Sequence, residues 1–168
     1  MWERTFGRWG DPAHPVTVKP RGERFLLDTL GRPAPRPARS PSSIDASESR
    51  LGQDDLGALA DCLGNAYVDA SRTARLAHAA GCSLGDYVDV REGALDQLPD
   101  AVARPGSHDD VQSLLTLCQE RGMAVVPFGG GTSVVGGVTP LAGRHRAVVA
   151  LDLLAADQLL AVAEAAVG

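Results

Sequence analysis

The feature that most restricts the fold is one stretch, Pro127-Phe128-Gly129-Gly130-Gly131-Thr132-Ser133-Val134-Val135-Gly136-Gly137, which follows directly on the apolar run Met123-Ala124-Val125-Val126. Held in regular structure, each of its five glycines costs roughly 0.5–1 kcal/mol against alanine, so stability alone does not collect them there. A bound ligand does. Without Cβ atoms the backbone can come close to a bound group, and successive N–H groups can turn toward one anion. A phosphate-bearing cofactor is the first candidate. Two common phosphate loops are excluded by position: a dinucleotide fingerprint starting at Gly129 needs glycine where Val134 stands, and an NTP-binding loop needs a lysine that no residue near Gly137 supplies. The alternative for the glycines alone is a flexible hairpin between two strands. Thr132 and Ser133 count against it, since their hydroxyls can donate to phosphate oxygens or hold the loop's own carbonyls.

The residues before the loop predict a strand, a helix and a second strand. Ala101-Val102-Ala103 is a short strand closed by Pro105. Ser107 is placed to accept a bond from the first helical turn, and Asp109 and Asp110 suit the positive end of the helix dipole. Val111, Leu114, Leu115 and Cys118, at i, i+3, i+4 and i+7, form one expected buried face, and Gly122 ends the helix. Ala124-Val125-Val126 follows as a strand parallel to the first, with a right-handed crossover. The loop therefore leaves the C-terminal end of a parallel strand, where open α/β sheets bind ligands.

Composition sets the class. A chain of 168 residues with 44% hydrophobic residues can build a core, and with only 4% aromatics that core must rest on Leu, Val and Ala. The net charge of −5 and the absence of a basic cluster argue against nucleic acid as a partner. Cys62, Cys82 and Cys118 are odd in number and make no Cys-x-x-Cys, so neither a disulfide framework nor a zinc site is indicated, and Cys118 reads as core. His14, His78, His108 and His145 fall at no metal-ligand spacing and read as surface or cap residues. No basic-then-apolar leader opens the chain, and no run reaches the ~18 residues of a membrane span. The expectation is a soluble, cytoplasmic protein without a transmembrane segment or a metal.

The front half is less regular. Residues 1–53 are rich in Pro, Arg, Gly and Ser, with Arg32 to Pro37 read as a polyproline-like connector and Glu23 to Leu30 as a short helix stopped by Gly31. Trp2, Phe6 and Trp9 need something to cover. Over 54–98 the pattern is helical: Leu56, Leu59, Ala60 and Leu63 make one apolar stripe, and Asp69 to Gly81 reads as a second helix with Gly81 as its stop. Cys82 to Pro99 reads as irregular, with Tyr87-Val88-Asp89-Val90 as a possible edge strand. After the loop, Arg144 and Arg146 are the nearest cations, with solvent as the alternative to phosphate for both. Ala147 to Leu151 is a buried strand, and Asp157 to Val167 has high helix propensity.

The glycine stretch carries a family resemblance. It is similar to the pyrophosphate loop of the FAD-binding domain shared by p-cresol methylhydroxylase and vanillyl-alcohol oxidase. Ala101 to Val111 resembles the opening segment of that domain, and Val148-Val149-Ala150-Leu151-Asp152 the strand after the loop. Arg75-Leu76-Ala77-His78-Ala79-Ala80-Gly81 and Trp9-Gly10-Asp11-Pro12 are similar to the subset typified by alkylglycerone-phosphate synthase. The likeness matches only the front of a much longer family protein and fades after Asp152. It implies an α/β (α+β) fold: a helical N-terminal segment, then from residue 99 the incomplete first part of a PCMH-type FAD-binding domain. It implies a pyrophosphate held by Pro127, Phe128, Gly129, Gly130, Gly131, Thr132 and Ser133. Some relatives tether the flavin through a histidine in this loop; here Thr132-Ser133 stands in that place, so the FAD is expected to be noncovalent. The family reaction exchanges the acyl group of an acylated dihydroxyacetone phosphate, a lipid-linked small molecule, for a fatty alcohol in ether-lipid synthesis. The alternatives are an FAD-linked 2-hydroxy-acid dehydrogenase or oxidase, and a catalytically inactive truncated fragment or interaction module. No residue is named as catalytic, and the chain alone is expected to be inactive.

Overall fold

The computed structural model describes Phe6, His14 and residues 17–34 and 37–154. Its centre is a four-stranded sheet ordered β1-β2-β4-β3, built from Val68–Asp69 (β1), Ala101–Ala103 (β2), Met123–Phe128 (β3) and Ala147–Asp152 (β4). β2, β4 and β3 run parallel, and β1 closes one edge antiparallel to β2. β4 lies between the two strands that the intervening helix connects, and all six of its residues are buried. That is why Ala-Val-Val-Ala-Leu shows no polar alternation: a parallel strand covered on both faces needs none. β3 is an outer strand among the described residues, a position that tolerates Pro127 within it.

Two helices cover one face of the sheet. α2 (Gln53–Leu63) and α5 (His108–Glu120) pack Leu59, Leu114 and Cys118 onto Ala101, Ala103, Met123, Ala147, Val149 and Leu151. Leu59 and Leu114 are fully buried, each contributing roughly 1.5–3 kcal/mol. α5 starts as its sequence predicts, with the Ser107 hydroxyl accepting from the Asp110 amide at 3.1 Å, and Gly122 follows it in the left-handed region at φ 65°. Its buried face differs in one place. Leu115 is 46% exposed, and Leu117 packs on the core instead.

The opposite face receives α3 (Arg72–Ala77), whose Ala74 sits on Val102 and Ala150. This helix is shorter than the predicted span from Asp69 to Gly81: Asp69 belongs to β1, Ser71 caps the helix by accepting from Ala74 N at 3.2 Å, and His78 ends it. The segment predicted as irregular, with a strand at Tyr87 to Val90, is helix α4 (Leu84–Glu92). A capping box between Ser83 and Asp86 nucleates it, and Gly93 stops it in the left-handed conformation.

Near the N-terminus, α1 (Pro20–Leu30) matches the predicted short helix with Gly31 at φ 76° beyond it, and it has no buried residue. Phe6 is half-buried against a small cluster of Ile44, Leu76, Ala79 and Leu98. Trp2, Trp9, the middle of the Arg32 to Pro37 connector and the predicted helix over 157–167 lie outside the described residues.

At the N-terminal end of the parallel strands two charge clusters tie the layers together. Asp100 accepts from the Arg50 side chain and backbone and from Val148 N. Asp55 of α2 accepts from Arg146 at 2.6 and 2.8 Å and from Arg121 at 2.9 Å. The Arg146 bonds foremost, against a smaller opposing effect of burial, hold the Asp55 carboxyl far below the usual carboxylate range.

Candidate functional site

The glycine loop leaves β3 at Phe128, at the C-terminal end of the parallel sheet, and runs to Val138, which is buried again. Gly131 adopts φ 64° and is buried, a backbone conformation for which glycine is the default. Within the loop, Ser133 Oγ accepts from Gly137 N at 3.0 Å, so this hydroxyl stabilises the turn. Among the described residues no acceptor faces the amides of Gly129, Gly130, Gly131, Thr132 or Ser133, and the Thr132 hydroxyl makes no bond. Five successive main-chain donors without a partner among the described residues, at a sheet's C-terminal end, are the kind of arrangement that can take a phosphate group.

The segment after α3 supports this loop, which the sequence did not reveal. Cys82 N donates to the Ser133 carbonyl at 2.7 Å, and the Cys82 thiol to the Gly131 carbonyl at 3.2 Å. Tyr87 of α4 donates its hydroxyl to the Cys82 sulfur at 3.2 Å. Gly81 is not in the left-handed region, so it is no helix stop; a Cβ there would collide with the Ser133 carbonyl oxygen.

His78 completes the support. Far from a surface position, it is 8% exposed, with its ring 4.5 Å from the Phe128 ring at a tilt of 53°. Its Nδ1 lies 2.8 Å from the Ala74 carbonyl and its Nε2 lies 3.2 Å from Asp152 Oδ2. Both ring nitrogens thus have a protein oxygen within hydrogen-bond distance, which fixes the ring's orientation beneath the loop's first residue. Arg104, at the C-terminal end of β2, approaches Asp152 at 3.4 Å and Asp69 at 3.9 Å. Burial raises the Asp152 carboxyl, yet the His78 bond, the Leu154 amide and the neighbouring cations outweigh it and leave it below its ordinary value.

Arg104 thus lies at the loop's end of the sheet, and Arg144 and Arg146 do not. Arg146 sits before the first residue of β4, paired with Asp55, about 20 Å from Asp152 along the strand at ~3.3 Å per residue. Arg144 is exposed in the turn leading to it. Beside α4 a cavity of about 200 Å³ is lined by Ala79, Ala80, Asp86, Asp89, Asp96 and Thr139. Its three carboxylates suit no diphosphate. Among the described residues no cluster of His, Cys, Asp and Glu could hold a metal, and no helix is long and apolar enough to cross a membrane.

Residues 99–167 match the FAD binding domain family. The chain is 42% identical over 88 residues to alkyldihydroxyacetonephosphate synthase of Trypanosoma brucei brucei, a match covering 52% of this chain and 14% of that protein. The synthase of Dictyostelium discoideum is 33% identical over 89 residues, again 14% of its length. Protein Rv2250A of Mycobacterium tuberculosis is 30% identical over 99 residues, 58% of this chain and 66% of that protein. A solved alkyldihydroxyacetonephosphate synthase superposes with a TM-score of 0.76 at 23% identity, over 90% of this chain and 31% of the other, which establishes the fold. The chain therefore spans about one seventh of the length of the curated synthases it matches.

Proposed function

We propose that this chain, whose residues 99–167 match the FAD binding domain family, binds FAD noncovalently, with the pyrophosphate on the loop Gly129-Gly130-Gly131-Thr132-Ser133 and with Pro127 and Phe128 at its mouth. The observation that carries the reading is the run of amides from Gly129 to Ser133 without a hydrogen-bond acceptor among the described residues, at the C-terminal end of parallel strands. Many oriented dipoles can hold a doubly charged group without a lysine. No histidine or cysteine lies in the loop to form a covalent tether.

FAD supplies the redox or addition chemistry at its ring system; the residues here bind and orient its diphosphate. In a synthase-like protein this would serve the exchange of an acyl for an alkyl group on a lipid-linked dihydroxyacetone phosphate, in ether-lipid synthesis and in the cytoplasm. We take residues 99–168 as the start of the flavin domain, 54–98 as a helical segment that lends it β1, and 1–53 as a Pro/Arg-rich leading segment. The 168-residue chain alone would be inactive, holding FAD weakly, because a half site leaves most of the ligand in water.

The test is thermal unfolding of the purified chain against rising FAD. A ligand that binds only the folded state raises the midpoint as its concentration passes Kd. We expect a saturable rise that Gly131→Val removes, and complete release of flavin into acid. No rise at millimolar FAD would overturn the assignment, and flavin left on the polypeptide after acid would overturn noncovalent attachment.

A further inference from the structure

We propose that the connection from His78 to Cys82, between α3 and α4, is a positioning clamp that fixes the glycine loop in its ligand-binding shape; this deepens, and rests on, the flavin reading. The contacts fall along the loop's length. His78 packs on Phe128 where the loop begins, the Cys82 thiol bonds the Gly131 carbonyl at its middle, and the Cys82 amide bonds the Ser133 carbonyl at its turn. Gly81 is required because the two backbones meet there with no room for a side chain. The clamp is itself held: Asp152 fixes His78, Tyr87 fixes the Cys82 sulfur, and the capping box at Ser83 and Asp86 fixes the start of α4.

The physical need for it follows from the loop's chemistry. A lysine can reach for a phosphate; main-chain amides act together only if the backbone already holds them in one arrangement. Both bonded loop carbonyls, of Gly131 and Ser133, face the clamp, which engages acceptors of the loop and none of the five amides from Gly129 to Ser133. His78, Gly81 and Cys82 are accordingly positioning residues, acting on the ligand through the loop.

The experiment reads the loop and the ligand separately on the whole 168-residue chain. Hydrogen exchange of residues 129–138 is followed without flavin, and FAD affinity by the midpoint shift, for wild type, Gly81→Ala, Cys82→Ala and Cys82→Ser. Gly81→Ala should speed loop exchange and weaken FAD by about tenfold or more, with exchange in α5 and β4 unchanged. Should Gly81→Ala fail to fold, Cys82→Ala keeps the test decisive: loss of one weak bond should change both readouts by about threefold, and Cys82→Ser should restore them. Unchanged loop exchange in these variants overturns the clamp while leaving FAD binding standing. Faster exchange with unchanged FAD affinity overturns the positioning role. A wild-type chain indifferent to FAD overturns the flavin reading and the positioning role with it, and the exchange data then report a structural brace alone.

Discussion

Replacing Asp100 by asparagine should cost about 3 kcal/mol of folding stability, and the figure can be built from its contacts. The residue is 1% exposed. Its Oδ1 accepts from Arg50 N at 2.7 Å, and its Oδ2 from Val148 N at 2.7 Å and Arg50 Nη2 at 2.7 Å, while Arg50 Nε lies 3.1 Å from both oxygens. Asparagine keeps the shape but turns one oxygen into an NH2, so a donor must face either the Arg50 or the Val148 amide. A buried N–H without an acceptor costs roughly 1–3 kcal/mol, and a hydrogen bond to a charged group is worth roughly 1.5–3. The Arg50 side chain is 48% exposed and can return to water, so the ion pair itself counts for less than its geometry suggests.

Urea unfolding measures the loss directly. With a slope of roughly 1–3 kcal/mol per molar, the midpoint should fall by about 1.5 M. Burial pushes the Asp100 carboxyl up, but the bonds from Arg50 and Val148 push it down further, and it ends below its ordinary value. Such a group stabilises the fold above the unfolded carboxylate range and loses that contribution as pH falls through its lowered folded value. The gap between wild type and variant should therefore hold constant above about pH 4 and narrow below it. A loss under about 1 kcal/mol, or a gap that widens in acid, would refute the reasoning.

Other expectations follow from the same structure. Leu114→Ala should cost about 2–5 kcal/mol in urea unfolding, whereas Leu115→Gln, one residue on but exposed, should stay within about 0.5 kcal/mol of wild type. Arg146→Ala should lower stability through Asp55 yet leave FAD affinity within about twofold, since a rim contact at the far end of the sheet touches no ligand; a large loss of FAD binding would move the site.

Local signals were readable and distant ones were not. The strand before Pro105, the cap at Ser107 and the stripe of α5 depend on neighbours within four residues, and so does the stop at Gly31. Tyr87-Val88-Asp89-Val90 misled because alternation over four residues imitates a strand; Ser83 and Asp86 at the front and Gly93 behind were the stronger signals. Gly81 followed an apolar helical pattern and so resembled a stop, but its reason is the Ser133 carbonyl 52 residues later. His78 shows the same limit: its partner Asp152 is 74 residues away, a separation at which spacing carries no information.

The two ends of the sheet divide structure from function. At the N-terminal end the buried acids are matched by arginines: Asp100 with Arg50, Asp55 with Arg121 and Arg146. Such closed pairs leave little field for a ligand. At the C-terminal end Arg104 reaches both Asp152 and Asp69, and His78 Nε2 also meets Asp152. The glycine loop contains no cation of its own, so in the proposed flavin site its hold on a diphosphate rests on main-chain dipoles and on the shape the clamp imposes. The connection from His78 to Cys82 belongs with the loop for a structural reason: its contacts at Phe128, Gly131 and Ser133 hold the loop's geometry.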